Sequence, residues 1–385
     1  MLLLGAVAVF NWQVDVFGIY RSPNDTRLPS DLSRAYQAYQ AAVRPAEVVL
    51  LGTSRAQIGL NSGHPALGEG RQLVLASPGQ TPEESALVFE KIAMRTPPRL
   101  VVWGLDFEAF DCLRRLPSDF DARRFERVDH LRILVDLWTL KASVRALATS
   151  SLSAPVRLLA DGSIEPRGEL FVRAKGHRQA AQDSEKSYHL AHARRRSTAC
   201  PVSGEGALAH YRHILRLAHQ KHIDLRLLIS PSHARQWETL YVAGLWTDWE
   251  EWKRDLVRIN DEEAHRVGKA AFALWDFSGY SVYTTEPFPR LGDVQTVMRW
   301  YWESSHYKKE LGDLVLNRVF RHSDHGADPD FGVRLDQRNA EAHLAAMRDA
   351  GWRWRLKFAD DVAEIHAAAK KLAPVRNAGL LAAHP

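Results

Sequence analysis

The sequence predicts an α/β protein with a mostly parallel sheet and helices on both faces. Three observations carry this. Continuous apolar runs such as Val48-Val49-Leu50-Leu51 and Leu100-Val101-Val102-Trp103 are the pattern of strands buried on both sides. Segments of helical period lie between such runs, so strand and helix alternate along the chain. Two runs end at glycine, in Gly52-Thr53-Ser54 and Gly104-Leu105-Asp106, where a strand's C-terminal edge would turn into a loop.

In chain order, Met1 to Phe10 is wholly apolar, and a weaker apolar stretch follows from Val14 to Tyr20. A spanning helix needs about 20 predominantly apolar residues, so residues 1–22 are marginal. The expectation is a membrane-proximal segment, the end of an uncleaved signal anchor; the alternative is a buried N-terminal helix or strand. Leu32, Ala35, Tyr36 and Tyr39 recur at helical spacing within residues 24–45, and Pro45 closes that helix. Strands follow at Val48 to Leu51, Leu73 to Ala76 and Leu100 to Trp103. Between the last two, Thr81 as N-cap, Pro82 at the first helical position and Glu84 two further on predict a capping box and a helix to about Met94.

A helical stretch around Phe125 to Ala148 comes next. Residues 150–204 are basic and poor in large apolar side chains, with the run Arg194-Arg195-Arg196, and read as an insertion or lid with a solvated face. The alternation resumes with a helix from Ala207 to His222, a strand from Ile223 to Ser230, a helix from Trp249 to Val267 and a strand from Ala271 to Asp276. An amphipathic helix from Tyr307 to Phe320 precedes a helical C-terminal extension, residues 322–385. No internal repeat or low-complexity tract is present.

The chain has 385 residues, enough for one large domain with insertions or two domains. Its net charge of +5 is spread over many sites, so nucleic acid is not the expected partner. An anionic envelope polymer or a membrane surface fits that charge as well. Trp237, Trp246, Trp249, Trp252 and Trp275 fall close together; they suit core packing first and sugar stacking second. The two cysteines, Cys112 and Cys200, fit either one disulfide in an oxidising compartment or two separate thiols. No Cys/His spacing suggests a zinc site, and Gly52-Thr53-Ser54-Arg55 lacks the spacing and lysine of a phosphate-binding loop. No metal or cofactor is expected.

The chemistry lies in two short segments. Ser54 stands just past the first strand, at the edge where open α/β sheets carry their sites. A serine hydroxyl needs a base to become a useful nucleophile. Trp302-Glu303-Ser304-Ser305-His306-Tyr307 offers His306 as that base, with Glu303 three residues earlier on the same face of a helix to orient it. The plainer alternatives are that Ser54 caps a helix beginning at Arg55 and that His306 merely begins the next helix. His233 and Asp276 also end strands and are expected to line the site, with helix capping and turn formation as their ordinary alternatives.

The serine block Gly52-Thr53-Ser54 and the acid-x-x-His block Glu303 to His306 resemble those of the SGNH hydrolase-like superfamily, over roughly residues 46–321. The general look is closest to membrane-associated O-acetyltransferase-like proteins of bacterial cell envelopes. The resemblance implies a three-layer α/β/α, flavodoxin-like domain and acyl-ester chemistry, with Ser54 as nucleophile. It implies O-acetyl transfer to, or removal from, an envelope polysaccharide, with that glycan or an acyl-donor membrane protein as partner. The location implied is membrane-anchored and extracytoplasmic, on the periplasmic side. Gly79 fits the superfamily's oxyanion glycine, and Arg55 is expected beside Ser54. Two positions depart from the pattern. Glu303 replaces the usual aspartate, and Gly104-Leu105-Asp106 carries an aspartate where the superfamily has an asparagine donor. A carboxylate accepts hydrogen bonds and would repel an oxyanion. Asp106 is therefore expected to be neutral, turned away or otherwise employed, and a non-catalytic binding or assembly protein remains the rival reading.

Overall fold

The computed structural model describes residues 2–21, 30–126, 128–148, 156–166, 168–190, 205–322, 328 and 330–372. Among them are strands β1 (Val48–Leu51), β2 (Gln72–Val74), β3 (Leu100–Leu105), β4 (Val156–Leu158), β5 (Ile164–Pro166), β6 (Asp224–Ile229), β7 (Ala273–Asp276) and β8 (Val333–Leu335). Six of these form one sheet in the order β2-β1-β3-β6-β7-β8; β4 and β5 form a separate antiparallel hairpin. All pairings in the large sheet are parallel except β7 with β8. The parallel strands run in the order 2-1-3-4-5 when counted along the chain, so the order reverses between β1 and β3. Ligand crevices in open α/β sheets lie outside the strand ends at such a reversal.

The helices are α1 (Leu2–Val14), α2 (Ser33–Val43), α3 (Ser54–Gly59), α4 (Pro82–Arg95), α5 (His130–Val135), α6 (Leu137–Ala148) and α7 (Gly168–Ser184). They continue with α8 (Glu205–Lys221), α9 (Ala234–Val242), α10 (Trp246–Arg266), α11 (Lys309–Phe320), α12 (Ala340–Lys357) and α13 (Ala359–Leu372). Alternate strand residues serve opposite faces of the sheet. Val49, Leu51, Val101, Trp103, Leu225 and Leu227 meet Phe89 of α4, Tyr211 and Ile214 of α8 and Trp249 of α10. Val48, Leu50, Val102 and Leu228 meet Ala56 of α3 and Leu311 and Val315 of α11. The uninterrupted apolar strands are explained by this double burial. Trp237, Trp249, Trp252 and Trp275 are buried, and Trp237 stacks on Trp249 with ring centroids 4.9 Å apart, so core packing accounts for them.

Several local expectations need correction. Thr81 Oγ1 accepts the Glu84 N–H at 3.1 Å, but the Glu84 carboxylate turns to Arg34 at 2.8 Å and does not complete the capping box. The helix expected over Phe125 to Ala148 is two helices, α5 and α6, because Asp136 interrupts it and accepts the Thr139 N–H. Parts of residues 150–204 are packed rather than solvated: His177 is fully buried, and Glu185 pairs with buried Arg235. The Arg194-Arg195-Arg196 run and Cys200 lie outside the described residues. Cys112 is disulfide-bonded. Beyond residue 321 the chain is not purely helical, since β8 joins the sheet edge before α12 and α13.

Candidate active site

Gly52 makes the turn that ends β1. Its φ is +139°, and a Cβ there would meet the Gly104 carbonyl oxygen and Ala56 Cβ, each at 2.8 Å. The strand can therefore turn tightly against β3 and release Thr53 and Ser54 at its C-terminal edge. Thr53, not Ser54, is the N-cap: its side chain accepts the Arg55 N–H at 3.2 Å. Ser54 is the first helical residue, and its hydroxyl is left for other work.

That hydroxyl lies 2.8 Å from His306 Nε2. The opposite ring nitrogen, Nδ1, bonds Glu303 Oε1. A carboxylate only accepts, so the ring proton sits on Nδ1 and Nε2 is free to accept from Ser54. The Glu303 carboxylate is itself fixed by the backbone N–H groups of Ser305 and His306, each at 2.9 Å, and is buried. The expected helical face does not supply this pairing. Residues 302–306 form a tight turn, closed by the Tyr301–Tyr307 bridge, and α11 begins only at Lys309.

Two glycines let this turn reach Ser54. A Cβ on Gly59, at the end of α3, would fall inside the Tyr307 ring; one on Gly312 of α11 would collide with the Gly59 carbonyl oxygen. Helices α3 and α11 therefore approach almost backbone to backbone, with Ser54 and His306 at neighbouring ends. Arg55 adds a second tie, since its Nε donates to Ser305 Oγ at 3.0 Å.

Ser54 and His306 open onto a cavity of about 360 Å³. Thr53, Arg55, Gly79, Asp106, Glu108 and Arg114 line it too, together with Ser184 and Ser305. Gly79 has φ +64°, and a Cβ there would come within 2.8 Å of the Arg114 guanidinium. Among the described residues, the N–H groups of Ser54 and Gly79 have no protein acceptor, so both remain able to receive a ligand oxygen.

Asp106 is employed elsewhere. It accepts Thr53 Oγ1 at 2.5 Å through one carboxylate oxygen, and the other lies 3.0 Å from Arg55 Nη1. Glu108 takes the same guanidinium nitrogen at 2.9 Å. Burial works against the Arg55 cation, but the Glu108 and Asp106 carboxylates more than reverse this and raise its pKa. A buried Arg55–Asp106–Glu108 cluster thus stands beside the serine, and Asp106 is not placed as a donor.

Two expected lining residues are not part of the cavity wall. His233 caps α9: its Nδ1 accepts the Arg235 N–H at 3.1 Å and its Nε2 donates to the Glu286 carbonyl at 2.8 Å. Burial pushes its pKa down to about 3, which keeps it neutral for that role. Its backbone N–H does donate to the Ser304 carbonyl, so it braces the histidine turn from behind. Asp276 lies in a sealed cluster, 2.7 Å from Lys253 Nζ and 2.9 Å from His343 Nε2. The sequence reading missed Glu108, Arg114, Ser184 and Ser305. Only Glu108 left a signal, as a second acid two residues beyond Asp106 at a strand end.

Among the described residues, no group of three or more His, Cys, Asp or Glu side chains is placed to hold a metal ion. No protein-family model matches the chain, and no curated protein or solved structure matches it either.

Proposed function

We propose that this protein is a serine-dependent acyltransferase or esterase of SGNH hydrolase-like type. The observation that carries the reading is the ordered chain Ser54 Oγ to His306 Nε2, His306 Nδ1 to Glu303, opening onto a cavity. Ser54 Oγ attacks the ester carbonyl carbon and passes its proton to Nε2. The carbonyl oxygen, now negative, is received by the amides of Ser54 and Gly79. The alkoxide leaves with the Nε2 proton, and the acyl group stays on Ser54. An acceptor hydroxyl then gives its proton to Nε2, attacks the acyl carbon and frees the serine. If the acceptor is water the outcome is hydrolysis; if it is a sugar hydroxyl the outcome is transfer.

The substrate proposed is an O-acetyl group on an envelope polysaccharide, with an acyl-donor membrane protein as the partner for transfer. The Cys112 disulfide fits an oxidising, extracytoplasmic compartment. The apolar residues of α1 fit membrane association, although among the described residues no helix is long and apolar enough to cross a membrane.

One observation favours a second reading, a non-catalytic protein of the same scaffold. The position of the third oxyanion donor holds Asp106, tied to Arg55. Labelling with a serine-directed fluorophosphonate separates the two. The catalytic reading expects labelling of the wild type that Ser54→Ala abolishes, together with release of acetate from simple acetyl esters. A folded wild type that neither labels nor turns over would leave the non-catalytic reading.

A further inference from the structure

Helices α1, α5 and α6 make up less than a tenth of the chain, yet they hold ten of the nineteen large apolar side chains that are exposed among the described residues. They form one body. Buried Asn11 of α1 donates to the Leu134 carbonyl of α5 at 2.9 Å and accepts from Ser143 Oγ of α6 at 3.1 Å. Phe17, just past α1, stacks on Trp138 of α6 at 5.2 Å.

The pattern on α6 is the telling one. Thr139, Ala142 and Ser143 are its buried residues. Leu137, Leu140, Val144 and Leu147 repeat at i, i+3, i+7 and i+10 on the outward side, and Leu137, Val144 and Leu147 are 50–72% exposed. A second apolar stripe turned outward has no use in water. Leu131 of α5 is 79% exposed, and Leu2 to Leu4 of α1 are exposed as well.

The chemistry of the face selects the occupant. Within the three helices the charged side chains are Arg132, Lys141 and Arg145; Arg145 is paired with Asp31 at 2.9 Å, and Asp129 and Asp136 stand at the two ends of α5. Arg21 lies over Trp12, 4.7 Å from its ring centroid, at the end of α1. Exposed apolar side chains with the cations Arg132 and Lys141 among them and a half-exposed tryptophan suit a bilayer interface. Residues Leu2 to Phe10 of α1 are also apolar on every side, which suits a medium that surrounds the helix better than a protein partner covering one face.

We propose that α1, α5 and α6 together form a lipid-facing platform, with the α5–α6 pair lying in the bilayer interface beside α1. This rests on the membrane association proposed above and extends it from the N-terminal segment to a pair of helices more than a hundred residues further on. It is independent of the serine chemistry.

The test is flotation of the full chain with vesicles of phosphatidylcholine, with and without anionic phosphatidylglycerol. The variants are Leu137→Glu/Leu147→Glu, and as a control Trp352→Glu/Leu356→Glu, which alters exposed apolar residues of α12. Thermal melts confirm that each variant folds. The wild type and the control should float, more strongly with anionic lipid. The α6 variant should partition at least about tenfold more weakly, because two apolar side chains can no longer be buried. If the wild type floats and the α6 variant floats equally well, α1 alone carries the membrane contact and the platform is wrong. If the wild type stays in solution, the membrane reading itself fails. A wild type that does not float but forms a dimer, which the α6 variant breaks, would make the face a contact between copies.

Discussion

Two serine–histidine–carboxylate sets stand at strand ends in this protein. Ser54, His306 and Glu303 gather beyond β1, and Ser278, His343 and Asp276 beyond β7. Their composition is nearly the same, and their wiring is not. In the first set the hydroxyl meets the histidine, and the histidine meets the acid. In the second the acid is the hub: Asp276 accepts from Ser278 Oγ at 2.5 Å, from His343 Nε2 at 2.9 Å and from Lys253 Nζ at 2.7 Å. Ser278 Oγ also accepts from Lys253, at 2.8 Å. Among the described residues no histidine is aimed at Ser278, and the cluster is buried around the Lys253 cation. Only the first set opens onto the cavity. On the catalytic reading proposed above, the order of connection and access to a ligand, rather than the residues present, would separate a reactive serine from a structural one.

The sharpest way to break this comparison is to remove each hydroxyl. Ser54→Ala should lower acetyl-ester turnover by at least about 10³-fold. Ser278→Ala should leave turnover per folded molecule within about twofold and lower stability by roughly 1–2 kcal/mol. Steady-state kinetics beside urea melts give both readings, and equal losses of activity would erase the distinction.

The acids come next. Glu303→Gln should reduce turnover by roughly 10²-fold or more, because the histidine loses the charge that orients its ring and stabilises its cation. The fold should be largely retained, as judged by the melting temperature. Unchanged turnover would remove Glu303 from the orienting role.

Asp276→Asn should do the opposite. It strands Lys253 in the interior and should cost about 3–5 kcal/mol of stability. Burial alone would raise the Asp276 pKa, but the Lys253 cation and the His343 hydrogen bond more than offset it, so the folded value lies below the ordinary aspartate value. A depressed folded pKa gives stability that is present above about pH 4, the unfolded value, and is lost as the pH falls toward the folded one. Wild type should therefore lose stability below about pH 4, and the asparagine variant should lack this part of the loss. Urea midpoints measured from pH 7 to pH 2.5 read it directly.

A smaller change than at Asp276 is expected at Asp106. Asp106→Asn removes one of two carboxylates from Arg55 and alters the bond from Thr53. It should destabilise the fold by roughly 1–3 kcal/mol, with Glu108 still holding the guanidinium. If the site is a working acyl transferase, ester hydrolysis should be preserved or raised. A variant that is fully stable and as inert as wild type would favour the non-catalytic scaffold.

Much of the candidate site's geometry was legible because its signals are local. A strand ending in Gly52-Thr53-Ser54 and a three-residue spacing from Glu303 to His306 need no knowledge of the rest of the chain. His233 and Asp276 were misjudged for the complementary reason. Both do end strands or begin the turns after them, but their partners come from elsewhere: the Glu286 carbonyl for one, Lys253 and His343 for the other. A strand end says where a side chain emerges and not whether an interior partner has already claimed it. The same holds for Asp106, whose departure from the asparagine pattern was visible while its Arg55 partner was not. Strand β8 escaped notice because three residues, Val333-Arg334-Leu335, carry too short an alternation to read.

The close approach of Gly59 and Gly312 has a consequence in time. Ser54 and His306 are 252 residues apart in sequence, and this glycine contact is the seam that brings their helices together. Contacts of such long range form late, after the loops between them have been closed. During synthesis the first strands and the serine emerge long before residues 303–306 have been made. The newborn chain therefore carries the Ser54 hydroxyl without its histidine, and the proposed chemistry would be withheld until nearly the whole sheet has been assembled.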